Sequence, residues 1–355
     1  MLLWASALLY GGLSTRASEA LGAELPGADP LSEHVALLLP TGSDAFSKAA
    51  AAVHAGFLEA ARKQTAAALS VRLYAVTDDP QHVITAYQQA VAAGARLIVG
   101  PLTRNGVTAL AGSNVAITVP TLALNVPEGL AAYPANLYTL SLHIEAEARQ
   151  VAQLALREGR RNMLTITEPT ALGRRMRDAF VDQFQSGGGS HIADHALATD
   201  SAGLERIRQA ARAGNADTVF LAADAARARL VRPHVSDLQG YGTSQLNPGL
   251  NAAAGFIDLS DVYFVDMPWM VQPDHAAVMT YRRDAPRGSD DLERLHALGI
   301  DAFRVAQALL AGKLDFEIDG VTGRLTLGSD GHVKRGLLIA LITGGHLTVL
   351  GETRP

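Results

Sequence analysis

The stretch His34-Val35-Ala36-Leu37-Leu38-Leu39-Pro40-Thr41-Gly42-Ser43-Asp44-Ala45-Phe46 decides the fold of this chain. A continuous apolar run ends at a proline, the pattern of a strand buried on both faces inside a parallel sheet. A small, polar turn follows. Ala50, Val53, Phe57, Ala60 and Ala61 then recur at helical spacing and predict a helix over about 46–68. A buried strand that feeds a helix in this way is the first half of a βαβ unit.

The unit repeats along the chain. Strands are expected over 69–76, 96–100, 119–125 and 137–140, and helices over 80–93, 104–111 and 144–158. A second series follows, with strands at 163–167, 191–197 and 218–222 and helices at 172–185, 202–213 and 224–232. This alternation predicts an α/β protein with two doubly wound parallel-sheet lobes of similar plan. Ser289 can cap a further helix, with Asp290 and Asp291 favourable in its first turn. Beyond it, Asp330-Gly331 and Gly344-Gly345 sit between alternating apolar runs, so the C-terminal segment reads as β-hairpins.

Composition limits the chemistry. Of the 355 residues, 48% are apolar and 18% charged, which is enough for a sizeable folded core. The formal charge of −5 removes any global electrostatic case for nucleic acid. The basic runs Arg174-Arg175-Met176-Arg177 and Arg227-Ala228-Arg229 read as solvated helix faces. The sequence has no cysteine, which excludes disulfides, thiol catalysis, cysteine metal sites and a lipobox in these residues. Residues 2–13 are apolar but too short to span a bilayer. With small residues at Ser18-Glu19-Ala20, residues 1–20 are expected to be a signal segment for export to the periplasm, and 21–33 a linker. Outer-membrane association would follow only from a true start that lies upstream and carries a lipobox.

Several apparent motifs carry no reaction. His191 and His195 stand four apart but follow three glycines in a strand-like run, without the glutamate of a zinc helix. Gly240-Tyr241-Gly242-Thr243-Ser244 fits neither a dinucleotide fingerprint nor a nucleophile elbow and reads as a turn. No Ser-x-x-Lys or phosphate loop is present. Neither a catalytic residue, a metal site nor a cofactor is expected. What remains is a set of small polar residues at first-lobe strand ends: Thr41, Ser43, Thr103, Asn105 and Asn125. In an open α/β sheet such positions either cap helices or line the ligand crevice. The run Asp261–Val271, "DVYFVDMPWMV", poses a similar choice. Pro268 stops a strand and leaves Trp269 just beyond it, as a core plug or as an anchor for a partner.

Two stretches, "LLPTGSDAFSKAAAAVHAGFLEAA" and "GVTGRLTLGSDGHVKRG", are similar to the opening and closing segments of the type I periplasmic binding protein superfamily. That likeness implies lobe 1 over 34–142 plus about 289–322, and lobe 2 over 143–288 plus about 323–355. Three further motifs narrow the resemblance. "VGPLTRNGVTAL" (99–110), "VPTLALNVPEG" (119–129) and "VDMPWMV" (265–271) resemble the LppC/LpoA-type penicillin-binding-protein activators, and "LHALGIDAFRVAQAL" (295–309) agrees. The resemblance implies a periplasmic, non-enzymatic regulator that docks on a bifunctional class A penicillin-binding protein and stimulates peptidoglycan synthesis. Larger members of that family carry a helical-repeat domain and a lipidated cysteine. The competing expectation is a solute receptor of an ABC importer for an amino acid or small peptide. In amino-acid receptors of the superfamily an aromatic residue of the second lobe closes over the ligand. Here Leu172, in Thr170-Ala171-Leu172-Gly173, holds the comparable place as a cleft candidate.

Overall fold

The computed structural model describes residues 32–64, 70–130, 132–249, 253–281 and 288–353. The expected signal segment and nearly all of the expected linker lie outside them. In the first lobe, β1 (His34–Leu39), α1 (Ser47–Arg62), β2 (Ser70–Ala75), α2 (Pro80–Ala92), β3 (Ala95–Val99), α3 (Arg104–Ala111), β4 (Thr121–Ala123) and β5 (Leu137–Leu140) follow in order. Every residue of β1 is buried, and it pairs in parallel with β2 on one side and β3 on the other. Helix α1 ends at Arg62, earlier than its apolar spacing suggests, and residues 65–69 lie outside the described set.

The second lobe holds α4 (Ile144–Arg157), β6 (Asn162–Thr167), α5 (Ala171–Ser186), β7 (Ser190–Ala196), α6 (Ser201–Arg212), β8 (Thr218–Ala222) and α7 (Ala225–Val231). It continues with β9 (Gln239–Gly242), α8 (Ala253–Asp258), β10 (Val262–Asp266) and the short helices α9 (Pro268–Val271) and α10 (Ala276–Met279). Gly240–Gly242 is therefore strand and not the expected turn. A Cβ on Gly240 would meet the Val262 side chain of neighbouring β10 at 2.8 Å, so glycine here serves close strand packing.

The chain then runs through α11 (Asp290–Leu310), β11 (Glu317–Asp319), β12 (Arg324–Leu327), β13 (His332–Gly336), β14 (Leu338–Thr343) and β15 (His346–Glu352). Two mixed sheets result, ordered β11-β12-β13-β5-β4-β3-β1-β2 and β15-β14-β10-β9-β8-β6-β7. The hairpin strands add antiparallel edges to parallel centres. Strand β13 pairs in parallel with β5, His332 opposite Thr139, so β12 and β13 belong to the first sheet. The return to the second sheet thus falls at Gly336-Leu337 and not near 323. Hairpin signals specify local pairing, whereas the sheet a hairpin joins is decided by contacts far away in sequence.

Helix α11 holds the lobes together. It lies on α1 at a contact so close that a Cβ on Gly56 would sit 2.0 Å from the His296 carbonyl oxygen, and one on Gly299 2.1 Å from that of Val53. The fully buried Asp301 carboxylate accepts from the backbone N–H of Val321 (3.1 Å) and Thr322 (2.7 Å) and from the Thr322 hydroxyl (2.6 Å). Trp269 fills the junction on the other side, with 0% of its surface exposed. Its indole N–H donates to Glu293 of α11 at 2.9 Å, and its backbone N–H donates to the Val321 carbonyl. Pro268 ends β10 and opens α9, as the sequence implies, and the tryptophan then turns inward. In this conformation Trp269 is a core plug and offers no surface to a partner.

Candidate binding cleft between the lobes

A cleft of about 580 Å³ lies between the lobes. Its first-lobe wall comes from the turns after β3 and β4. Gly100 has φ +111°, and a Cβ there would stand 2.1 Å from the Leu38 carbonyl oxygen, so only glycine lets this turn press against β1. The turn delivers Leu102 and Thr103 to the start of α3. The Thr103 hydroxyl accepts the Gly106 N–H at 3.2 Å and caps that helix. Asn125 donates to the Leu102 carbonyl (3.1 Å) and accepts from the Val126 N–H, and Asn105 donates to the Asp78 carbonyl (3.3 Å).

Thr103, Asn105, Asn125 and Leu172 all line the cleft, although they lie far apart in sequence. Thr41 and Ser43 do not. Their turn folds back on itself through Thr41 N–H to Leu39 O, and the Gly42 N–H ties it to Val76 beyond β2. Phe46, at the end of the same turn, reaches the cleft instead. Phe46 and Leu172, 37% and 38% exposed, face the cleft from opposite lobes. Leu102, Leu124, Leu142, Leu295 and Leu298 give it a largely aliphatic lining.

Charged residues that sequence reasoning passed over occupy the rest. Arg175 of α5 holds Glu145 of α4 at 2.7 Å, and Arg104 of the first lobe approaches the same carboxylate at 3.8 Å across the cleft. Burial alone would raise the Glu145 carboxyl. The backbone bond at the start of α4 and Arg175 outweigh it and hold the group below the usual carboxylate range. Arg175 therefore lines the cleft while its side chain stays 42% exposed, and the adjacent Met176 is buried. Deeper, Arg294 of α11 donates to Asp266 (2.9 Å) and to the Ser244 carbonyl (3.2 Å). Glu147 accepts the Ser244 N–H at 3.1 Å and stands 3.5 Å from Arg335. Burial raises the Glu147 carboxyl against the pull of Arg335. The sequence does not show these pairs, because each joins residues far apart in the chain, and Arg104–Glu145, Arg294–Asp266 and Arg335–Glu147 also cross between the lobes.

The arrangement holds few reactive groups. Ser141 and His143 lie 2.7 Å apart at the head of α4, yet among the described residues no carboxylate bonds to the imidazole. Among the described residues no cluster of three or more His, Asp or Glu is placed to hold a metal. His191, on β7, bonds the buried Thr165 at 2.9 Å in a half-buried network with Asp194. No helix of the described residues is long and apolar enough to cross a membrane.

Comparison with known proteins agrees with this architecture. The chain is 26% identical over 356 residues to the penicillin-binding protein activator LpoA of Photobacterium profundum, covering 90% of this chain and 57% of the relative. It is 27% identical to that of Edwardsiella piscicida, over 75% of this chain and 44% of the relative. The chain thus spans about half the length of these curated relatives. The LpoA C-domain of Haemophilus influenzae superposes with a TM-score of 0.73 at 21% identity, over 90% of this chain and 100% of that domain. A protein from Chromobacterium violaceum ATCC 12472, provisionally named as a branched-chain amino acid ABC transporter, superposes with a TM-score of 0.73 at 38% identity. That alignment covers 87% of this chain and 99% of the other. The family model described as "LppC putative lipoprotein" matches residues 29–205 and 194–340. With most of its length matched and the two-lobed fold shared, the chain belongs to the LppC family.

Proposed function

We propose that this chain is a periplasmic, non-enzymatic regulator that binds a bifunctional class A penicillin-binding protein and raises its peptidoglycan cross-linking. The observation that carries the reading is the family match, together with curated relatives named as penicillin-binding protein activators. The cleft supports it from the other direction. A receptor for a free amino acid needs an uncommitted cation and anion for the ligand's two charged ends. Here Arg104 and Arg175 share Glu145, and Arg294 is committed to Asp266 and Ser244. A regulator without catalytic groups acts by binding one conformation of its partner better than another. Couplings of this kind typically change a binding affinity by about 5- to 150-fold.

The second reading is a solute receptor, favoured by the name carried by the Chromobacterium violaceum relative at 38% identity. One experiment separates the two. Cross-linking of lipid-linked precursor by the organism's own class A synthase is measured with and without this protein. The activator reading expects saturable stimulation and no cross-linking by this protein alone. Absence of both stimulation and a complex, together with micromolar calorimetric binding of leucine, isoleucine or valine, would establish the receptor instead.

A further inference from the structure

Beyond His143, which lines the inter-lobe cleft, lies a second groove of about 420 Å³ that shares this residue as a wall. It too is built from both lobes. Lys334 comes from β13 of the first, and Arg149, Gln153 and Gln183 from α4 and α5 of the second. Most polar groups on its floor are already used. Thr139 bonds His332 at 2.9 Å, Ser141 bonds His143 at 2.7 Å, and Gln150 donates to the Arg335 carbonyl at 2.9 Å. Arg335 itself is turned onto Ser141, Thr322 and Glu147.

Four donors are left over. Among the described residues Arg149 and Lys334 make no ion pair, and the amides of Gln153 and Gln183 make no side-chain hydrogen bond. Exposed arginines without an acid partner occur elsewhere among the described residues, as at Arg62, Arg174 and Arg206; what sets Arg149 and Lys334 apart is that they line one groove together with two unbonded carboxamides. The one acid lining the groove, Asp330, accepts the His332 N–H at 3.1 Å. The neighbouring imidazole senses the same field. Burial, then Arg335, and more weakly Arg149 and His332, push the His143 pKa down to about 4 against Glu145.

We propose that this groove is a binding site for an oxyanion, a carboxylate or phosphate group of a small ligand, held between Arg149 of the second lobe and Lys334 of the first. Each cation supplies a charge-assisted hydrogen bond, and the two carboxamides supply neutral donors to the remaining oxygen atoms. A concave wall of low dielectric focuses the field of the cations on the bound group. Because the cations belong to different lobes, an occupied groove ties the lobes together behind the cleft. The proposal is independent of the activator reading.

The test titrates the whole protein with citrate and, separately, inorganic phosphate at low ionic strength, read by calorimetry and by NMR shifts of groove residues. The expected result is binding of at least one of them at about 1 mM or tighter. Arg149→Ala and Lys334→Ala should each weaken it by about tenfold, and both residues are exposed, so the variants keep their fold. Arg206→Ala, at an exposed cation elsewhere, should leave it unchanged. Binding of citrate alone or phosphate alone tells which oxyanion the site prefers. Binding of neither, or binding that both groove variants leave intact, would overturn the proposal.

Discussion

At the scale of single residues, the strand ends could be read and the use of each side chain could not. Thr103, Asn105, Asn125 and Leu172 reach one cleft because parallel strands carry their C-terminal ends to one edge, a consequence of topology. Thr103 and Asn125 nevertheless spend hydrogen bonds on their own turns. Trp269 shows the limit more sharply. A tryptophan after a strand-ending proline fits a plug and an anchor equally well until the position of α11 is known. With the indole wholly buried and bonded to Glu293, Trp269→Ala should destabilise the fold by roughly 3–5 kcal/mol. Trp269→Phe keeps much of the volume but removes the indole donor and should have a smaller effect, about 1–3 kcal/mol. Urea unfolding followed by circular dichroism measures both. A Trp269→Ala variant with wild-type stability that failed to bind a partner would restore the anchor role.

At the scale of elements, the strand–helix alternation made most of the fold legible, since each period is a local property of the chain. What stayed hidden is how elements meet. Nothing in "HVKRG" says that β13 lies beside β5, almost two hundred residues earlier in the chain. Likewise Gly299 in "LHALGIDAF" and Gly56 in "HAGFLEA" look like weak points in helices, where glycine normally costs about 1 kcal/mol relative to alanine. Propensity alone would therefore predict that Gly56→Ala and Gly299→Ala are stabilising. The α1–α11 contact reverses the sign. Each added methyl would fall about 2 Å from a backbone oxygen of the other helix, which cannot rotate away. Each variant should lose roughly 1–3 kcal/mol or more as the helices part. Since one separation relieves both clashes, the double variant should lose less than the sum of the two. Thermal melts of the three proteins decide it, and a stabilised single variant would mean that the helices do not pack this closely in solution.

At the scale of the whole molecule, two lobes meet at crossings where charged groups are buried, and this makes the junction sensitive to acid. His143 sits at one crossing, between the cleft and the second groove, facing Arg335, Arg149, Glu145 and His332. Its pKa falls from 6.5 in the free side chain to about 4 in the fold, chiefly through burial. Well above pH 6.5 the ring is neutral in both folded and unfolded states and contributes no pH dependence. As the pH drops below 6.5 the unfolded chain takes up a proton that the folded chain refuses. Stability is then lost progressively until the pH passes about 4, where the folded protein is protonated as well. At 1.36 kcal/mol per pKa unit the total is roughly 3 kcal/mol for this one residue. His332 acts in the same direction, because burial lowers its pKa too. Removing His143 therefore isolates its share without abolishing the whole slope. His143→Asn should flatten the fall in unfolding free energy between pH 6.5 and 4 by about 3 kcal/mol, whatever it does to stability at pH 7. Urea titrations at half-unit pH steps on both proteins supply the two curves, and NMR titration of the imidazole supplies the folded pKa directly. A folded pKa near 6.5, or parallel stability curves, would show that the half-buried ring at the crossing is open to water.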